Sequence, residues 1–127
     1  MTESGQKIAK QRAFGFGWRA ESRAAWMLRL KGYRILARRM RTPAGEIDLV
    51  ARRGPVLAVV EVKARPTLSQ GLEALSPAQQ QRLVRAGSIV LGKMGSRAKG
   101  GDLTLRFDLV VVRPWRWPHH LQGAWRA

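Results

Sequence analysis

Asp48, Glu61 and Lys63 are the residues of this chain whose types and spacing could do chemistry. Glu46 and Asp48 lie two apart in one largely apolar segment, and Glu61 and Lys63 lie two apart in the next. Side chains of a strand alternate faces, so a spacing of two keeps each pair on one face. Symmetric pairing of the two segments about Gly54-Pro55 would set Asp48 opposite Glu61 and Glu46 opposite Lys63, with Ile47, Leu49, Ala58, Val60 and Val62 on the other, apolar face. Opposed carboxylates repel by up to about 1 kcal/mol even when exposed, and by more in a dry site, so a cation is expected between them. A hard divalent ion, Mg²⁺ or Mn²⁺, takes oxygen ligands. Asp48 and Glu61 would leave it coordination positions for a phosphate oxygen and an attacking water. Lys63 reaches the same volume, where its ammonium could orient that water or stabilise charge on a pentavalent phosphorus. This is the chemistry of phosphodiester hydrolysis. The competing account of Lys63 is an ordinary cross-strand ion pair with Glu46, which leaves unexplained why three of the chain's eight acids share one hairpin face.

Positioning these groups requires a sheet and its covering helices. From about Gly17 to Lys31, Trp18, Glu21, Ala24, Ala25 and Leu28 recur at helical spacing, and Gly32 stands where a helix C-terminus wants glycine. Tyr33 to Met40 reads as a strand and Thr42-Pro43-Ala44-Gly45 as a turn; Glu46 to Arg52 and Val56 to Arg65 are the two strands of the hairpin. Ser76-Pro77 opens a second helix, because serine caps and proline fills the first turn without losing a needed donor. Its apolar stripe is Leu83, Ala86, Val90 and Met94. Leu103 to Val112, rich in β-branched residues, closes the domain as a last strand. The expected order is αβββαβ, an α/β fold. Residues 1 to about 12 and Gly95 to Gly101 are expected to be mobile, and residues 13–127 to form one domain.

Four further positions admit two roles each. Glu21 lies on the inward stripe of the first helix and wants a partner, either one of the many arginines or a place beside the metal. Gln79 fits a capping box with Ser76, yet also lies one turn before Leu83 on the inward stripe. Asp108 could pair with an arginine; no mechanism suggests itself. In the tail, Trp115, Trp117 and Trp125 could stack on unpaired bases, and His119 and His120 could ligate a metal, but tryptophans near a chain end more often pin it to the core.

Charge limits the partners. Of 127 residues, 24 are lysine or arginine and 8 are acidic, a formal charge of +16. Such a field selects polyanions, with nucleic acid expected ahead of a membrane surface. A chain of this length buries roughly two thirds of its unfolded surface, enough for one core and one main site. The absence of cysteine rules out disulfides and thiolate zinc sites and fits a reducing cytoplasm. The longest apolar run, Val56 to Val60, is too short to span a bilayer, and MTESGQKIAKQ lacks the apolar segment of a secretory signal.

The same residues carry a resemblance. Gly45 to Arg53 (GEIDLVARR), Val59 to Pro66 (VVEVKARP), Gly32 to Leu36 (GYRIL), Arg19 to Glu21 (RAE) and Arg106 to Val112 (RFDLVVV) together resemble the YraN family of bacterial proteins, over about Gly15 to the C-terminus. That family is similar in fold to archaeal Holliday-junction resolvases and other PD-(D/E)XK nucleases. The resemblance implies a restriction-endonuclease-like core with a mixed central sheet flanked by helices. It also implies Asp48, Glu61 and Lys63 as the catalytic aspartate, glutamate and lysine, and Glu21 as the acid of the first helix. The expected activity is Mg²⁺-dependent endonucleolytic cleavage of DNA, including branched DNA, with DNA ahead of RNA as partner and a homodimer by resolvase analogy. Two departures stand out: Gln79-Gln80-Gln81 occupies the place where a basic residue is expected early in the second helix, and the tail has no assigned job. Because the superfamily also contains inactive members, the alternative is a non-catalytic nucleic-acid-binding module or adaptor that retains the fold.

Overall fold

The local turns set the order of the strands. The computed structural model describes residues 19–95 and 102–127. Helix α1 runs to residue 30 and stops at Gly32, whose φ of +93° turns the chain. The amide of Gly32 donates to the carbonyl of Arg29, and that of Tyr33 to the carbonyl of Leu28, the paired bonds of a glycine C-cap. Strand β1 (Arg34–Thr42) then turns through Pro43-Ala44 into β2 (Gly45–Arg53), and β2 turns through Gly54-Pro55 into β3 (Val56–Ala64). Helices α2 (Leu68–Glu73) and α3 (Pro77–Gly95) follow, then β4 (Thr104–Val112) and β5 (His119–Trp125). The five strands lie in the order β1-β2-β3-β4-β5; the β3–β4 pair is parallel and the other three are antiparallel. A parallel neighbour cannot be reached by a tight turn, and α2 and α3 supply the crossover.

The expected αβββαβ order is the core of this mixed α/β sheet, and the structure extends it in two places. Six-residue α2 is too short to show a helical stripe, and only its cap signals it: Thr67 Oγ1 accepts the amide of Gln70. Strand β5, which lies within the expected tail, carries no strand signal in the sequence because it is edge-exposed and lacks alternation; its pairing with β4 is a long-range choice. The Ser76 capping box of α3 forms as expected, with reciprocal bonds of 3.1 and 3.2 Å to Gln79. The stripe Leu83, Ala86 and Val90 is buried.

Both faces of the sheet are packed, which corrects the assignment of the core to a single face. Helix α1 covers Leu49, Ala51, Ala58, Val60 and Val110, while α3 covers Val50, Leu57, Val59, Leu109 and Val111. Ile47, expected beside Leu49, belongs to the α3 layer instead. An extra residue between Ile35 and Ala37 shifts the β1–β2 register, and a bulge of this kind increases local twist. Of the expected mobile segments, residues 1–12 and 96–101 lie outside the described residues, as does Trp18, whereas Gly95 ends α3. No described helix is long and apolar enough to cross a membrane.

Candidate active site

The β2–β3 ladder runs from Arg53↔Val56 to Leu49↔Val60, the register of symmetric pairing about Gly54-Pro55. There the ladder ends, and the next donor of β3 is taken by a side chain: Asp48 Oδ2 accepts the amide of Val62 at 2.8 Å. That amide lies between Glu61 and Lys63 in sequence, so the bond draws the Asp48 carboxylate to both. Lys63 Nζ stands 3.6 Å from Glu61 Oε1. Asp48, Glu61 and Lys63 are therefore brought together. The anticipated Glu46–Lys63 pair gives way to this one: Glu46 is exposed, and its carbonyl accepts from Arg82 Nη1 at 3.1 Å.

Glu61 is the perturbed group of the site. Burial, the negative charge of Asp48 and a carboxyl–carboxyl hydrogen bond push its pKa up, against the pull of Lys63 and Arg82, to about 8. A proton on Glu61 lets the two carboxyls hydrogen-bond to each other; with both ionised, they repel in a half-dry space. Glu61 Oε2 is buried with no hydrogen-bond partner. A pair of carboxylates with an unsatisfied oxygen could hold a hard cation, because Mg²⁺ is held by one or two carboxylates and keeps its remaining positions for water and phosphate. Among the described residues no group of three or more acids, histidines or cysteines that could hold a metal ion is found, so Asp48 and Glu61 would be the acidic ligands.

Glu21 of α1 is buried and paired: Arg39 Nε donates to Oε2 at 3.2 Å, and Arg38 Nε lies 3.6 Å from Oε1. The flanking pairs Arg38↔Leu49 and Met40↔Ile47 put Arg39 in the register position facing Asp48. Arg39 holds a φ of 49°, a conformation an arginine in a strand adopts only under constraint. The arginine partner of Glu21 thus stands beside the hairpin acid.

Arg39 and Arg82 are two of the arginines that the sequence leads one to expect beside the hairpin face, but their particular places are not legible in it. Nothing about an arginine announces left-handed backbone, as at Arg39. Arg82 lies one position past Gln79-Gln80-Gln81 and supplies the positive charge expected early in that helix. Its guanidinium crosses Gly45, where a Cβ would overlap Nη1, and its charge lowers the pKa of Glu61. The glycine of the GEID segment is thereby explained by close approach as well as by its φ of +117°. Gln79 is engaged in the helix cap.

Asp108 and the tail form a second polar cluster with a structural job. Asp108 is fully buried; Arg106 grips both its oxygens at 2.8 and 2.7 Å, His120 Nε2 meets Oδ2 at 2.8 Å, and the Gly123 amide donates to Oδ1 at 3.0 Å. Burial raises the carboxyl's pKa, but bonds from His120, Arg106 and Gly123 more than offset this and hold it at about 2. His120 also meets Lys31 Nζ through Nδ1 at 3.0 Å, so both its ring nitrogens are used within the protein. Trp125 stacks on Phe107 in the core, whereas Trp115 and Trp117 are exposed; the packing expected for all three holds for one.

Comparison with known proteins agrees with the residue pattern. Residues 20–112 match the family model described as uncharacterised protein family UPF0102. A UPF0102 protein of Parvibaculum lavamentivorans is 58% identical over 114 residues, covering 90% of this chain and 84% of its own. One of Chelativorans sp. is 50% identical over 121 residues, covering 95% of each chain. One of Mesorhizobium japonicum is 49% identical over 116 residues, covering 91% of this chain and 90% of its own. With a match of this extent to the family model and relatives this similar over nearly their full length, the chain belongs to UPF0102, the YraN family.

Proposed function

We propose that the protein is a divalent-metal-dependent endonuclease that hydrolyses phosphodiester bonds in DNA, with Asp48, Glu61 and Lys63 as its reacting centre. The observation that carries this reading is Glu61: an acid with its pKa raised to about 8, one oxygen unsatisfied, pressed against Asp48 and Lys63 in a chain of charge +16. Strongly perturbed groups with a specific charged partner mark functional sites. Asp48 and Glu61 would hold Mg²⁺ or Mn²⁺, which when bound polarises the phosphate and lowers the pKa of water. The amide of Val62 fixes the orientation of Asp48. Lys63 sits where its ammonium would orient an attacking water and stabilise the added negative charge at phosphorus. Arg82 and Arg39 flank the site and favour a phosphate over other substrates. Glu21 acts as a positioning residue through Arg39.

The internal bonds of Asp48 and Glu61 favour a second reading, a non-catalytic nucleic-acid-binding module whose acids are structural. Incubating the pure protein with labelled four-way, flap, single-stranded and duplex substrates in Mg²⁺, Mn²⁺ or EDTA separates the two. The nuclease reading expects metal-dependent products, loss of cleavage in Asp48→Ala with affinity in EDTA equal or higher, and a rate loss of about 10²–10⁴ in Lys63→Ala with modestly weaker binding. No cleavage of any substrate, with Asp48→Ala lowering thermal stability but not binding, leaves the acids structural.

A further inference from the structure

The β4–β5 connection holds an exposed tryptophan in a strained and buttressed position. Trp115 has a relative exposure of 101% and a φ of 60°. A bulky residue in left-handed backbone is strained, and such strain persists only where the surroundings enforce it. Here α1 enforces it: Arg23 Nη1 donates to the carbonyl of Arg113 at 3.1 Å, and its Nη2 donates to the carbonyl of Arg116. The loop is thus gripped on both sides of Trp115, yet the indole itself is not packed away. Beside it opens a cleft of about 370 Å³ lined by Arg19, Ala20, Arg23, Pro114 and Trp115. Arg19, Arg23 and Trp26 follow one another at helical spacing on α1, and Trp26, 63% exposed, has Arg29 6.0 Å from its ring centre. Trp117, 62% exposed, lies two residues past Trp115.

We propose that Trp115 and the cleft between Pro114 and Arg19 form a stacking site for an unpaired base of a single-stranded nucleic acid. Exposed rings interleaved with guanidiniums are what a single strand selects: every base has a π-face, and every linkage has a phosphate. A duplex offers no free base face, so the site reads strandedness rather than sequence. A bilayer surface would instead want contiguous apolar anchors, whereas Trp115 stands between Arg113 and Arg116 and beside Arg19 and Arg23. The loop leaves the sheet at the end where Lys63 lies, since Lys63 pairs with Val111 and the Arg65 amide donates to the Val112 carbonyl. Trp115 lies four positions past Val111, a reach of at most roughly 14 Å, so the cleft and Lys63 lie at the same end of the sheet. The inference rests on the nucleic-acid part of the function proposed above and supplies its substrate class: DNA with an unpaired segment.

The test is equilibrium binding in EDTA of a labelled oligothymidylate and of a blunt duplex of equal length, to wild type, Trp115→Ala and Trp115→Phe. Since one base–aromatic stack is worth about 1–3 kcal/mol, Trp115→Ala is expected to bind the single strand roughly 5- to 150-fold more weakly, with duplex affinity within twofold of wild type and Trp115→Phe close to wild type. Its indole is in solvent, so the variant is expected to unfold at the wild-type temperature. An equal loss on both ligands, or none, overturns the stacking site while leaving nucleic-acid binding and cleavage standing. Trp115-dependent binding to phosphatidylserine vesicles with no effect on the single strand overturns it in favour of a membrane. Wild type binding neither oligonucleotide overturns both this inference and the function on which it rests.

Discussion

Glu61 faces two opposed demands. Its burial favours the neutral acid, while the chemistry proposed for it needs the carboxylate. Without metal the acid wins up to a pH of about 8. A carboxyl whose folded-state pKa is raised stabilises the fold fully below its unfolded value of 4.5, and that contribution is lost as the pH rises through about 8. Denaturant unfolding in EDTA should therefore show wild-type stability falling from pH 5 to pH 9. Glu61→Gln, which keeps a neutral hydrogen-bonding group beside Asp48, should be flatter and roughly 1–4 kcal/mol more stable than wild type at pH 9. Adding Mg²⁺ at pH 8 should stabilise wild type with release of protons and leave the glutamine variant unchanged. Parallel pH profiles for the two proteins would show that Glu61 is not the buried titrating group.

At the scale of elements, the edge strand β5 depends on one carboxylate. Asp108 joins Arg106 of its own strand to His120 and Gly123 of the next, and removal of its charge leaves the Arg106 guanidinium without its buried partner. Asp108→Ala should destabilise the protein by about 3–5 kcal/mol, the usual consequence of breaking a buried pair from one side. Hydrogen exchange should then show β5 amides losing protection before those of β3. The lowered pKa has the opposite sign to that of Glu61: this stabilisation is present above the ordinary aspartate range and is lost as the pH falls through about 2. Normal β5 protection in the variant would mean that the Phe107–Trp125 stack alone holds the strand.

For the whole molecule, the charge of +16 sets the reach of any polyanion interaction. Arg38, Arg39 and Arg41 lie on β1, Arg52 and Arg53 on β2, Arg65 just past β3, and Arg82 and Arg85 on α3, although Arg38 and Arg39 also serve Glu21, and Arg53 lies over the Tyr33 ring at 4.7 Å. Duplex binding should weaken steeply with salt, with a log–log slope of about −0.9 for each phosphate neutralised. A flat salt response in a filter-binding titration would exclude the polyanion and favour a protein partner or small ligand.

How much of this was legible beforehand follows from the range of the forces involved. Turn chemistry, capping and alternation act within a few residues, so Gly32, Gly54-Pro55, the Ser76–Gln79 box and the hairpin register could be read from the sequence alone, and with them the meeting of Asp48, Glu61 and Lys63. What required the tertiary structure depends on contacts between distant segments. Burial in the folded protein and the nearby Asp48 raise the pKa of Glu61, and Arg82 enters from α3 to cross Gly45. Arg39 is held in left-handed backbone while its side chain serves Glu21 of α1. Asp108 recruits the tail as a strand, because a buried carboxylate must find donors wherever the chain brings them. The same folding decides between tryptophans that look alike in sequence: Trp125 meets Phe107 and is buried, while the grip of Arg23 on the carbonyls flanking Trp115 leaves that indole in solvent.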